Sequence, residues 1–272
     1  MKFLKSAFNL VGRCDYLAAT LAVTLLGGVA GGEGSELRIG IAVLSNLLLF
    51  SFAVIYQKIE NAPAAASEPG QIQPNPIASG EVSVKFARTL SAIFALVSLA
   101  LSALLGTLNI VLGFLGVLIA ISLSNHNLKL GNSVLMRLGK HQPLLSVIFG
   151  LSGFLATSQK LKFEAFLLSI FFLAIGFLFA AFTAAIIPRP LSRIMLIILL
   201  VFASASSYLL FIVFEVFAPW VLMLIVLLGL VLVLLQHRNN LRQKKLAEIL
   251  FDSFAISTAV SLILSYLIPL FV

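Results

Sequence analysis

Long apolar runs, separated by short polar or charged segments, occupy most of this chain. A run of roughly 17 to 25 mainly apolar residues suffices to cross a bilayer as a helix, which satisfies its own backbone hydrogen bonds where no water is available. The pattern predicts nine such helices, over residues 16–32, 38–57, 86–105, 108–124, 142–158, 164–187, 192–213, 217–236 and 250–271. The third and fourth are divided only by Gly106 and Thr107. Fused, they would be about twice as long as one crossing needs, so the pair is read as two helices. Residues 1–15 carry basic side chains without a small-residue cleavage site and read as a retained interfacial segment. The expected fold is therefore an all-α integral membrane protein, a nine-helix bundle forming one membrane domain over 1–272.

Composition agrees with this reading. The chain is 61% hydrophobic and 10% charged, too few charges to cover a soluble globule of its 272 residues. With the N-terminus placed in the cytoplasm, 15 of the 18 basic residues fall in cytoplasmic segments, and only Arg38, Lys160 and Lys162 fall outside. That bias predicts a cytoplasmic N-terminus and an external C-terminus in an inner or cytoplasmic membrane. It also gives the net charge of +8 a lipid-headgroup explanation, with no nucleic acid required. The lone Cys14 has no partner for a disulfide, and His126 and His141 lack the Cys or acidic neighbours of a metal set.

Two cytoplasmic loops stand out, 58–85 and 125–141. Residues 62–80 are rich in Ala, Ser, Pro, Gly, Gln and Asn, which favours turns and extended chain over helix. The loop ends in NPIASGEVS, Asn75 to Ser83, and the second loop opens with SNHNLKLGN at 124–132. In this topology the first segment resembles the basic-Pro-x-x-Ser-Gly-x-Val-Ser segment of UbiA-type prenyltransferases. The second resembles the loop that carries a basic residue near the substrate diphosphate in that family. The resemblance implies the nine-helix fold, transfer of an isoprenyl group from a diphosphate to a lipophilic acceptor, and two aspartate-rich motifs. In such motifs facing carboxylates hold Mg²⁺ ions, which need hard oxygen ligands and stabilise the leaving diphosphate.

The acids those motifs require are mostly missing. Counting back from Pro76 and Ser79 puts the first motif on Glu60, Asn61, Ala64 and Glu68; a register shifted by four puts it on Tyr56, Gln57, Glu60 and Ala64. Asn75 stands where the family has a basic residue. Between Glu164 and Glu215 there is no Asp or Glu, so no register supplies a second motif; AAIIPRPLSR offers Arg189 and Arg193 instead. Candidate substrate-binding residues, as relics or direct diphosphate contacts, are Glu60, Asn61, Glu68, Lys129, Arg137, Arg189 and Arg193, with no catalytic or metal-ligating residue assigned.

Inside the second helix, Ser45, Asn46 and Ser51 are expected to bond neighbouring helices, and Gly27, Gly28, Gly31 and Gly32 to allow close packing and a turn. The expected function is that of a prenyltransferase-like but non-catalytic membrane protein. It would serve as a subunit of a membrane complex, bind an isoprenoid, quinone or pigment in the helix bundle, or do both. The alternative is a divergent active prenyltransferase, and Mg²⁺ is expected only in that case. An unrelated carrier or channel is disfavoured, because no acid is placed mid-membrane to couple ions.

Overall fold

The computed structural model describes residues 10, 14–32, 35–65, 75–124, 142–160 and 162–183, with 198, 201, 205, 208 and 209 beyond them. Six helices make up this region: α1 Cys14–Ala30, α2 Glu36–Ala65, α3 Val84–Leu105, α4 Thr107–Ser124, α5 Gln142–Ser158 and α6 Phe163–Thr183. They lie at the first six positions given by the hydrophobic pattern, and the described residues contain no strand. The last three expected helices fall almost wholly outside the described residues. Two helical stretches, Glu36–Pro63 and Val84–Leu105, are long and apolar enough to cross a membrane.

The α3–α4 break is tighter than the sequence indicates. Gly106 alone turns the chain, with φ of 122°, and Thr107 already begins α4. An L side chain is disfavoured at that φ, so glycine is the residue that can make a one-residue corner here. The Gly106 amide bonds the Ala103 carbonyl at 3.2 Å, and its own carbonyl accepts from Ile110 at 3.1 Å. One residue thus ends one helix and starts the next.

α2 departs from expectation in the other direction. It continues beyond residue 57 to Ala65 and takes in Pro63, so the first part of the expected loop is helical. Proline near a helix C-terminus forgoes one bond, here to the Ile59 carbonyl, and the flanking alanines are strong helix formers. Burial supplies the remaining support. Ile55 and Ile59, one turn apart, pack with Leu10, Ile77, Val82 and Ala87 in a small apolar cluster at this end of the bundle.

The main core lies among α1, α2, α5 and α6, around Leu25, Leu49, Phe149, Phe154, Leu168 and Phe172. α1 and α5 run parallel with their backbones nearly touching. A Cβ on Gly27 would overlap the Gly150 carbonyl, one on Gly153 the Thr24 carbonyl, and one on Gly31 the Thr157 hydroxyl. The Thr157 hydroxyl then reaches across to the Gly28 carbonyl at 3.1 Å. On its other side, α5 receives the Phe172 ring against Gly150. Of the glycines expected to allow close packing and a turn, Gly27 and Gly31 form the seam, and Gly32, with φ of 92°, lies in the turn that follows α1.

Polar side chains tie the remaining helices together. Asn46 of α2 donates to the Thr24 hydroxyl of α1 at 3.0 Å and to the Phe149 carbonyl of α5 at 3.2 Å. Ser45 and Ser98 each donate to the other's backbone carbonyl at 2.9 Å, and the Ser102 hydroxyl sits 2.8 Å from that of Ser45. Ser45 and Asn46 therefore bridge helices as expected, whereas Ser51 bonds the Leu47 carbonyl of its own helix. At the far end, Arg38 Nε donates to the Ala156 carbonyl at 2.8 Å and Nη2 to the Leu105 carbonyl at 2.6 Å. A single guanidinium thus satisfies carbonyls in the last turns of α3 and α5, where the backbone has no intrahelical donors left and the helix dipole favours a cation.

The α1–α5 seam gives a direct test. Gly27→Ala forces the two backbones apart and is expected to cost about 1 to 3 kcal/mol as an overpacking substitution. The same change at Gly40, inside α2 where an added Cβ meets nothing within 4 Å, is expected to leave stability unchanged or raise it slightly, since alanine is the better helix former. Thermal unfolding of both variants in detergent measures the contrast.

Candidate functional site

The candidate site is the end of the bundle where α2 stops and α3 starts. Helical geometry brings Tyr56 and Glu60, four residues apart, onto one face of α2. Tyr56 is half-buried and lies close enough to the Glu60 carboxylate and to Arg88, in the second turn of α3, for both to act electrostatically on its phenol. The ring of Phe52, one turn earlier, stacks obliquely on Tyr56 with centroids 5.7 Å apart. The result is a phenol, a carboxylate and a guanidinium grouped above an aromatic pair at the end of the apolar core.

The segment 75–83 closes over this end as an ordered turn. Asn75 Nδ2 donates to the Lys58 carbonyl of α2 at 2.8 Å, while its Oδ1 accepts from the Ile77 amide at 3.1 Å. That second bond is the Asx turn favoured by Asn before Pro. The Asn75 carbonyl accepts from the Ser79 amide at 3.0 Å, and the Pro76 carbonyl from the Val82 amide at 3.0 Å. Gly80 takes a φ of 78° within the turn. Ser83 then caps α3, its hydroxyl accepting from the Phe86 amide at 3.2 Å. The Pro-x-x-Ser-Gly-x-Val-Ser pattern is thus a folded unit: a turn, two buried apolar anchors in Ile77 and Val82, and a helix cap.

Of the residues singled out from sequence, Glu60 and Asn61 are half-buried in the last turns of α2. Glu68, Lys129, Arg137, Arg189 and Arg193 lie outside the described residues. The shifted register, Tyr56, Gln57, Glu60 and Ala64, falls entirely on helical backbone, with its last three positions along one face. Three contributors were not singled out as site residues: Tyr56, Arg88 and Asn75. The spacing of four between Tyr56 and Glu60 was a readable signal, as was the Asn-Pro turn. The approach of Arg88 depends on how α3 docks on α2, and no local pattern carries that.

The donor set among the described residues does not fit a pair of Mg²⁺ ions. Such ions need several hard oxygen ligands in near-octahedral geometry. Among the described residues, no three Asp, Glu, His or Cys side chains come together, and the Glu60 carboxylate lies beside the Tyr56 phenol with a cation nearby. What this arrangement can do is hold a polar or anionic group at the rim of an apolar bundle, by hydrogen bonding and by the charge of Arg88.

The fold matches solved structures of UbiA homologues. The apo UbiA homologue from Aeropyrum pernix K1 superposes with a TM-score of 0.73 at 18% identity, over 94% of this chain and 99% of that one. The UbiA homologue from Archaeoglobus fulgidus bound to GPP and Mg²⁺ gives 0.68 at 15% identity, over 94% and 99%. Digeranylgeranylglyceryl phosphate synthase gives 0.64 at 16% identity, over 97% and 99%. No protein-family model and no curated protein matches the sequence. At these identities the likeness is one of fold, and it extends over nearly the whole chain.

If Asn75 is the staple that holds the turn on α2, Asn75→Ala loses both side-chain bonds, each worth roughly 0.5 to 1.5 kcal/mol. Limited proteolysis is expected to cut between 66 and 83 faster in this variant than in the native chain, with cleavage elsewhere unchanged.

Proposed function

We propose that this chain, whose fold is that of the UbiA homologues, is a UbiA-type membrane protein that has given up metal-assisted diphosphate chemistry. In this reading nine helices cross the membrane, with the N-terminus in the cytoplasm and the C-terminus outside. The bundle binds an isoprenoid, quinone or pigment, serves as a subunit of a membrane complex, or does both. The distribution of 15 of 18 basic residues supports the orientation. The rim formed by Tyr56, Glu60 and Arg88 would receive the polar end of the ligand, and the apolar interior its tail.

The observation that carries the non-catalytic reading is the acid-free stretch between Glu164 and Glu215, which leaves no register for a second carboxylate cluster. Glu60 is the carboxylate that the shifted register keeps, and here it lies beside the Tyr56 phenol. A metal pair would have to be held largely by water and neutral oxygens, a weak set for Mg²⁺.

The test is titration of the purified chain with GPP, with and without Mg²⁺, followed by assay for released diphosphate. Binding that Mg²⁺ does not strengthen, with no diphosphate released, is the expected result. Mg²⁺-dependent binding with release would overturn the proposal and establish the alternative, a divergent active prenyltransferase. Purification in mild detergent adds a second check: co-purification of a stoichiometric partner or a lipidic ligand is expected, and a bare monomer would remove the functional half of the reading.

A further inference from the structure

At the opposite end of the bundle, α4 presents a buried stripe made of Asn109, Gly113, Gly116, Ala120 and Ser124. These positions recur every three or four residues, the spacing of one helix face. The face looks inward: a Cβ on Gly113 would touch Leu99 and Ser102 of α3, and one on Gly116 would touch Leu49 of α2 and Ile148 of α5. Asn109 heads the stripe and is 2% exposed. Its Oδ1 is the one buried side-chain polar atom, among the described residues, that accepts no hydrogen bond.

Register places this atom among other polar groups. Gly113 is level with Ser102, whose hydroxyl meets that of Ser45 at 2.8 Å. Asn109 is four residues nearer the helix end, about 6 Å at the rise of an α-helix. That step brings it level with the Leu105 carbonyl, which is held by Arg38. Arg38 has five N–H groups, of which the Ala156 and Leu105 carbonyls take two. The level therefore offers a bare acceptor on α4, a guanidinium on α2 and hydroxyls one turn deeper. An acceptor buried in apolar surroundings without a donor is destabilising. A leucine of similar size at 109 would avoid that cost.

We propose that Asn109 marks a small binding site at the Arg38 end of the bundle, separate from the Tyr56 end, that takes one hydroxyl donor between α2 and α4. The hydroxyl belongs either to a bound water or to the headgroup of a membrane lipid. It donates to Asn109 Oδ1 and ties the first turn of α4 to the end held by Arg38. The site is independent of the function proposed for the opposite end, and it stands whether or not the chain binds GPP.

The test is a structure of the native chain in lipid nanodiscs, at a resolution that shows ordered water. The expected result is non-protein density within about 3.2 Å of Asn109 Oδ1. An isolated peak identifies water, and density continuous with an acyl chain identifies a lipid. Apolar packing with no density there, or a protein group donating to Oδ1, overturns the proposal. Thermal unfolding of Asn109→Leu gives a second reading: a lower Tm than the native chain is expected, and a higher one means that the amide was an orphan and overturns the proposal. Loss of folding in that variant leaves the nanodisc structure to decide.

Discussion

Everything in this bundle depends on satisfying polar groups in an interior that has almost nothing to satisfy them with. Helices meet most of that demand, because each backbone amide finds its carbonyl within the same segment. The demand remains at helix ends and at polar side chains, and the chain meets it by sharing. Arg38 serves two helix termini at once, Asn46 joins three helices, and Ser45 and Ser98 exchange hydroxyl bonds with each other's backbone. Each tie both satisfies its own groups and fixes the distance and register between helices. Apolar contacts fill the space between them, but contacts of that kind cannot by themselves select one register.

The same economy shapes the rim at the other end. Asn75 spends its donor on the carbonyl of α2 and its acceptor on its own turn, and Ser83 spends its hydroxyl on the first turn of α3. These residues belong to a segment that, in an active prenyltransferase of the UbiA type, is expected to stand beside metal and diphosphate. Here its polar groups face inward and hold the loop. Glu60, in the last turns of α2, lies beside the Tyr56 phenol.

How much of this was legible in the sequence follows from the range of each signal. Six helix positions, the break at Gly106 and the bridging roles of Ser45 and Asn46 could be read because hydropathy, glycine and isolated polar residues act locally. The end of α2 was misplaced. The composition of 62–80 suggested turns, but burial of Ile59 against Ile77 and Val82 holds the last turns helical, and that contact is made with residues distant along the chain. Arg38 was visible only as an exception to the charge bias. Its role emerges once the ends of α3 and α5 converge on it. The group of Tyr56, Glu60 and Arg88 was half legible: the helical spacing of the first two could be read, and the docking of α3 that supplies the third could not.

The glycine seam, the serine cluster, Asn46 and Arg38 lie away from the rim, and none of them depends on a carboxylate there. The ties by which the helices find one another are therefore independent of acids at the rim. Several carboxylates gathered on one helix end would repel one another, a cost that a bound metal would offset. The fold is shared with UbiA homologues at sequence identities below one fifth. The Tyr56–Glu60 pair, four residues apart on one face of α2, adds a contact within that helix itself.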